Sequence, residues 1–277
     1  LFLEHGHRLL GASVGVISLV LAAVAWKTKQ TPAVRWLVVA AVFLVVLQGL
    51  LGGLRVLLDD KTVAKIHACT GPLFFSVAVA TATLTSRRFQ TRPSRAGEVH
   101  GGMALGSWLA SGLMFASYMQ LVAGAQLRHV DPAIGPNAFR WLVAFHLIGA
   151  ATVVVLSLAA VGESFGLLPS VCTRGFGRRF LSSTILFFVC MQVLLGFAAW
   201  VVSWGLPLGL LPDSIAMRVP ETSTVVVARS GLSSLIVTGH VVLGMMILGA
   251  SVVLCILSGG LPNTAGATFV SRQRVIA

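Results

Sequence analysis

The chain has 277 residues, of which 56% are hydrophobic and only 10% are charged, and its formal net charge is +12. Water-soluble domains carry about 25% charged residues, so this composition excludes an ordinary soluble domain. It is typical of a membrane protein that crosses the bilayer several times.

Seven stretches are long and apolar enough to be transmembrane helices, because crossing about 30 Å of hydrocarbon takes about 20 residues. None of them alternates as a β-strand does, and a chain embedded in lipid must form either helices or a closed barrel. The sequence therefore predicts an all-α integral membrane protein. The predicted spans are residues 9–26, 36–57, 66–85, 103–125, 141–161, 180–205 and 232–257.

A polar cluster, EHGHR, stands at the mouth of the first span and contains Glu4, His7 and Arg8. Glu4 and His7 are three residues apart, so they share one helix face if the helix extends that far. The carboxylate could take part in proton transfer. The alternative is that it only places a negative charge at the positive end of the helix.

The second, fourth and sixth spans share a Gln-x-x-x-Gly pattern. Gln48, Gln120 and Gln192 lie 72 residues apart, and each is followed four residues later by a glycine. Gln and Gly both favour contacts between helices in lipid, but this preference does not account for the equal spacing. The pattern predicts a repeated helix hairpin, in which a Gln–Gly helix crosses the membrane and a partner helix returns.

Each returning helix carries one histidine near the same membrane face, and these are His7, His67, His146 and His240. Ionisable residues within transmembrane segments are rare and usually functional. At a rise of about 1.5 Å per residue, all four lie in the same half of the bilayer. One such histidine is commonly structural, but four in equivalent places favour a role as ligands. The other histidines fall in loops or interfaces and are not predicted to be ligands: His5, His100 and His129.

Imidazole ligands suit zinc, copper and iron. A hydrolytic zinc site favours carboxylate or cysteine ligands beside an open water position, and the sequence near His146 and His240 does not offer these ligands. Haem needs only one or two axial imidazoles and an apolar slot, which a helix bundle supplies. The haem propionates need cations at the rim, and the candidates are Arg8, Arg55 and Arg128. The alternative for these arginines is ordinary snorkelling to the membrane interface.

Basic residues are distributed unevenly between alternate connections. One set carries twelve basic and two acidic residues, whereas the other carries eight basic and six acidic residues. The richer side faces the cytoplasm or the mitochondrial matrix. We therefore expect the N-terminus of this chain outside and the C-terminus inside. The excess of positive charge is an orientation signal, and no nucleic-acid partner is predicted.

The motifs occur in the order EHGHR, QGLLGGLRV, IHACTGPLFF, MQLVAGAQLRH, FHLIGA, MQVLLG and GHVVLG. This ordered set resembles the haem A synthase family over nearly the whole chain. The resemblance implies two pseudo-symmetric four-helix bundles, here residues 1–99, with three helices present on the substrate-haem side, and residues 100–277, with four helices on the haem b side. It implies an oxidoreductase of the bacterial cytoplasmic membrane or mitochondrial inner membrane. Such an enzyme oxidises the C8 methyl of haem O to the formyl of haem A for cytochrome oxidase assembly.

Matching the motifs residue by residue implies roles for the polar side chains. His7 and His67 would serve the substrate haem O, and Glu4 would be the carboxylate needed for activity. His146 and His240 would ligate the cofactor, haem b. The implied partners are haem O and haem A, lipid, a membrane electron donor of unknown identity, and haem O synthase or a second copy of the chain.

Two other functions keep the histidine-bearing helices but do not need the carboxylate. One is a dihaem b-type cytochrome that only transfers electrons, and the other is a haem carrier without turnover.

Two features depart from the pattern of the family. Its members have eight helices, and the repeat places a further outgoing helix about 24 residues upstream of Leu1. Many members also carry a cysteine pair just before this glutamate. We therefore expect the chain to be incomplete at its N-terminus.

Overall fold

The computed structural model describes residues 2–90, 105–131, 133–168, 176–204 and 231–259. All seven predicted spans are confirmed as helices, with ends within five residues of those expected except that the first helix begins seven residues earlier. The predicted boundary between the two bundles, at residues 99 and 100, lies outside the described residues, as does His100. The helices are α1 (Phe2–Lys27), α2 (Pro32–Leu58), α3 (Lys61–Thr85), the short α4 (Arg87–Gln90), α5 (Leu105–Arg128), α6 (Pro136–Phe165), α7 (Phe176–Trp204) and α8 (Gly231–Leu257).

Six of the described helices are long and apolar enough to cross a membrane, and these are α1, α2, α3, α6, α7 and α8. The seventh long helix, α5, has 24 residues but is more polar, because it buries serines such as Ser107 and Ser117. Large apolar side chains cover the outer surface, and Leu57 is 81% exposed. Such a surface is suited to lipid rather than to water. The chain is therefore an all-α integral membrane protein.

A tight turn joins α2 to α3 and determines where α3 begins. Asp59 ends α2 in the left-handed conformation, with φ 48°. The carboxylate of Asp60 then accepts hydrogen bonds from the backbone N–H groups of Val63 and Thr62, which caps α3. These bonds hold the pKa of the Asp60 carboxyl below its ordinary value. The cap fixes the first turn of α3, so His67 stands less than two turns from the start of the helix.

The four C-terminal long helices close into a ring. Consecutive helices pack together from α5 to α8, and α8 packs back against α5. Their interior is apolar and includes Leu113 of α5, Val153 of α6, Ile185 of α7 and Ile247 of α8. These four helices therefore form a closed bundle.

The N-terminal helices form an open row, in which α2 packs against both α1 and α3. The row attaches to the C-terminal bundle through α3, which packs against α8 and α5. Gly249 lets the two parts approach, because a Cβ there would lie 2.7 Å from the ring of Phe75. Buried apolar residues of α3 and α8 fill this junction, among them Ala80, Leu248 and Val252. The two parts are thus held by packing along α3.

A buried ion pair ties α6 to α7 at the end of the bundle remote from His146 and His240. Arg178 Nη2 donates to Glu163 Oε2 at 2.5 Å, and the two side chains are 3% and 1% exposed. Both residues were predicted to lie in connections between spans, but the helices extend far enough to bury them. Eleven basic residues remain on that side against eight on the other, so the predicted orientation is unchanged.

Candidate functional site

Three helix hairpins contain the same set of contacting residues, which we call the Gln–Gly–His unit. Its first helix carries a glutamine and a glycine four residues later, and its second helix carries a histidine. In each unit the glycine lies against the imidazole of the histidine. A Cβ built on Gly52 would lie 3.2 Å from Cε1 of His67. A Cβ on Gly124 would lie 3.5 Å from Cε1 of His146. A Cβ on Gly196 would lie 3.0 Å from Cε1 of His240. The glycine of each unit therefore has a structural role, because it lets the imidazole lie against the backbone of the first helix, most tightly at Gly52 and Gly196.

The glutamine of each unit packs against the helix that carries the histidine. Gln120 Nε2 donates to the backbone carbonyl of His146 at 2.8 Å, and Gln192 Nε2 donates to that of His240 at 2.9 Å. A glycine on the returning helix leaves room for each carboxamide, and these are Gly71, Gly149 and Gly244. The two helices of each hairpin are therefore interlocked, with a polar side chain of one against a glycine of the other. The Gln-x-x-x-Gly pattern predicts the first glycine of each unit but not the second, although His-x-x-x-Gly recurs at His67 and His240.

The C-terminal bundle brings two of the predicted ligands together. His146 of α6 and His240 of α8 are both partly buried, their ring centroids are 6.4 Å apart, and their planes are inclined at 58°. Two imidazole nitrogens that bind one metal from opposite sides, each at about 2 Å, lie about 4 Å apart. Each ring centre lies roughly 1 Å beyond its nitrogen, so the two ring centres are about 6 Å apart. The observed separation fits two axial imidazoles on one iron. The residues between them in sequence number more than ninety, so only the closure of the bundle creates this pair.

The N-terminal row brings His7 close to His67. His67 is partly buried on α3, and both Arg55 of α2 and His7 of α1 lie within electrostatic range of it. His7 itself is exposed on α1. Because α1 begins at Phe2, Glu4 and His7 both occupy helical positions and lie three residues apart. The side chain of Glu4 is outside the described residues.

Basic residues gather at the end of the helices that carries the four intramembrane histidines. His129 follows α5 and lies near Arg128, Arg55 and Lys65. Burial first, and then these three positive charges in that order, lower the pKa of His129, so its ring is neutral near pH 7. Two of the three arginines predicted to meet propionates therefore share one positive region between the bundles. The third, Arg8, is exposed on α1.

The geometry distinguishes between kinds of metal site. Across the described ranges, no group of three or more His, Cys, Asp or Glu side chains could hold a metal ion. His146 and His240 instead form a facing pair, and an axial pair is all that a porphyrin-bound iron requires of the protein. Gly124 and Gly196, which lie against the rings of His146 and His240, leave room around these rings. The residues present therefore fit a haem with two axial histidines.

The fold and the site define a class: helical integral membrane proteins with paired histidines inside the bundle. The family model COX15-CtaA, described as cytochrome oxidase assembly protein, matches residues 1–143. This match covers more than half of the chain, and the chain therefore belongs to that family. The matched region includes Glu4, His7 and His67. It ends three residues before His146, so the assignment of the C-terminal pair depends on the contacts described above.

A similar curated protein is the Heme A synthase of Shouchella clausii (strain KSM-K16), which is 25% identical over 171 residues. The aligned region is 56% of this chain and 56% of that protein, so the chain spans about half the length of the curated relative that it matches. No solved structure matches the chain.

Proposed function

We propose that this protein is a haem A synthase, which oxidises the C8 methyl of haem O to a formyl group and so provides haem A for cytochrome oxidase assembly. The observation that carries the proposal is the facing pair of imidazoles, His146 and His240, with ring centroids 6.4 Å apart. Membership of the family and the likeness to a Heme A synthase support the same reaction.

The C-terminal bundle would hold haem b between His146 and His240. Haem b supplies electron-transfer and oxygen chemistry that amino-acid side chains lack. The chain contributes ligation by two imidazoles, room at Gly124 and Gly196, and apolar walls that keep water out. Two nitrogen ligands of this kind are expected to give a six-coordinate, low-spin iron.

The N-terminal row would hold the substrate, haem O, at His7 and His67. Arg8, Arg55 and Arg128 would neutralise the propionates, and the gathering of two of these arginines around His129 supports this role. Glu4 would act as a general acid or base beside the substrate, because it lies one helical turn from His7. A positioned carboxylate of this kind contributes about 10²–10⁴-fold to a rate.

The orientation follows from the positive-inside rule. The end that carries the histidines would face the outside of a bacterial cytoplasmic membrane or mitochondrial inner membrane, and the C-terminus would lie inside. Haem O and the electron donor would then reach the site from the membrane or from its outer face. Haem O synthase is the enzyme class whose product this protein would consume.

The test is to produce the protein together with a haem O synthase and to measure which haems its membranes contain. The expected result is haem A, with a low-spin b-type spectrum in the purified protein. His240→Ala should abolish that spectrum, whereas His5→Ala, which changes an exposed histidine of α1, should leave it unchanged. Bound haem b without any haem A would instead favour an electron-transferring cytochrome or a haem carrier. An unchanged spectrum in His240→Ala would refute the axial assignment.

A further inference from the structure

Two glutamine oxygens at the candidate haem site have no partner. Gln120 Oε1 and Gln192 Oε1 are buried, and neither forms a hydrogen bond to any part of the chain that the structure describes. The same holds for Nδ1 of His240. Buried polar atoms are nearly always paired, so orphaned atoms on two residues in contact call for an explanation.

The orientation of these carboxamides is fixed by their other hydrogen bond. Each Nε2 lies 2.8 or 2.9 Å from the backbone carbonyl oxygen of its histidine. A carbonyl oxygen only accepts, so the amide nitrogen must face it, and exchanging nitrogen and oxygen would place two acceptors together. The oxygen Oε1 is therefore the end left free to accept a hydrogen bond.

A histidine bound to metal through Nε2 has the complementary need. The neutral ring then carries its proton on Nδ1, and a ligating histidine almost always donates that N–H to a carbonyl, a carboxylate or water. The carboxamide is already close to each ring, because Gln192 Nε2 lies 3.4 Å from Nε2 of His240 and Gln120 Nε2 lies 3.2 Å from Nδ1 of His146. In this structure the amide nitrogen faces each ring, so the proposal requires the imidazole to turn when it binds iron, until Nδ1 faces Oε1.

We propose that Gln120 and Gln192 are positioning residues whose Oε1 atoms accept the Nδ1–H of His146 and His240 when these histidines bind haem iron. This inference depends on the proposed function, because it requires haem between the two rings. The hydrogen bond fixes the orientation of each ring and increases the electron donation of its nitrogen to the iron. Haem b is thereby held firmly and in a more easily oxidised state.

The first Gln–Gly–His unit differs at one position. Gln48 Oε1 lies 3.1 Å from the hydroxyl of Thr70, whose single hydrogen is also within reach of the backbone carbonyls of Ile66 and His67. Thr70 stands three residues after His67, and the equivalent positions after His146 and His240 are Gly149 and Leu243, which have no hydroxyl. Gln48 Oε1 therefore has a hydroxyl neighbour that the unpartnered oxygens of Gln120 and Gln192 lack.

The experiment compares two substitutions that share one defect. Gln192→Leu and Gln192→Glu both remove the N–H that is donated to the carbonyl of His240, but only Glu keeps an oxygen that accepts from Nδ1. Haem retention and the midpoint potential of haem b are measured in the purified, haem-loaded protein. Gln126→Leu, on α5 but outside the three units, is the matched control.

In Gln192→Leu we expect haem affinity to fall about 10–100-fold, the usual effect of removing an outer-shell partner, and the potential to rise. In Gln192→Glu we expect haem retention above that of Gln192→Leu and a lower potential, because one carboxylate oxygen still accepts from Nδ1 although the other faces the carbonyl of His240. If Gln192→Leu fails to fold, Gln120→Leu makes the same comparison at His146: lower haem retention and a higher potential support the proposal, and unchanged values overturn it.

Equal behaviour of the two variants would mean that the glutamine only supports the helix, and would overturn the proposal. This failure is separable from failure of the proposed function. A wild-type protein that binds no haem refutes the proposed function itself, whereas a haem-bound wild type with unresponsive Gln192 variants refutes only the role of the glutamine.

Discussion

Breaking the buried ion pair between Glu163 and Arg178 should strongly destabilise the C-terminal bundle. The carboxylate is 1% exposed and the guanidinium 3%, with 2.5 Å between Oε2 and Nη2. Removing one partner leaves the other as an uncompensated buried charge, which typically costs about 3–5 kcal/mol. Since about 1.4 kcal/mol corresponds to a factor of ten, the ratio of folded to unfolded protein should fall by roughly two to four powers of ten.

Glu163→Gln is the test substitution, because it keeps the shape of the side chain and removes the charge. Unfolding in detergent micelles is followed by circular dichroism as denaturant is added. Arg178→Met is the reciprocal variant, and the double variant closes the cycle. We expect the double variant to be more stable than the sum of the single losses predicts, because it leaves no unpaired charge. Gly106→Ala should also destabilise, since its Cβ would lie 2.6 Å from Arg178 Nη2.

A loss below about 0.5 kcal/mol in Glu163→Gln, the range of ordinary surface substitutions, would refute the reasoning, because it would mean that water reaches the pair. The position of the pair supplies an internal control. It lies at the opposite end of the bundle from His146 and His240, so the haem spectrum of the folded fraction should be unchanged.

Three further outcomes are expected. Glu4→Gln should leave the haem b spectrum intact but reduce formation of haem A by about 10²–10⁴-fold, and a normal rate would exclude a role for the charge. Cysteines introduced at Arg92 and Arg128 should be labelled from opposite sides of the membrane, and labelling from one side would contradict the proposed topology. Gly196→Val should weaken haem binding, because a Cβ at this position would already lie 3.0 Å from the imidazole of His240. Gly239→Val is the control and should leave haem binding unchanged, because a Cβ there has nothing within 4 Å. Equal effects of the two variants would contradict the role of Gly196 in making room for the imidazole.

The sequence alone determined the class of the protein and the positions of its helices. Lipid leaves no other partner for backbone N–H and C=O groups, so each long apolar stretch must be a helix. The same one-dimensional information determined the Gln–Gly repeat and the histidine on each returning helix. Periodicity was enough for these features because they depend on residues close together in the chain.

Only the tertiary structure decided which side chains meet. His146 and His240 face each other because α8 packs back against α5 and closes the ring, and no local pattern specifies that closure. The rotation of each helix about its axis decides three further features in the same way. These are the contacts of the glycines with the histidine rings, the unpartnered oxygen of Gln192 and the burial of Glu163. Sequence spacing places residues on a helix face, but the packing of neighbouring helices decides what that face touches.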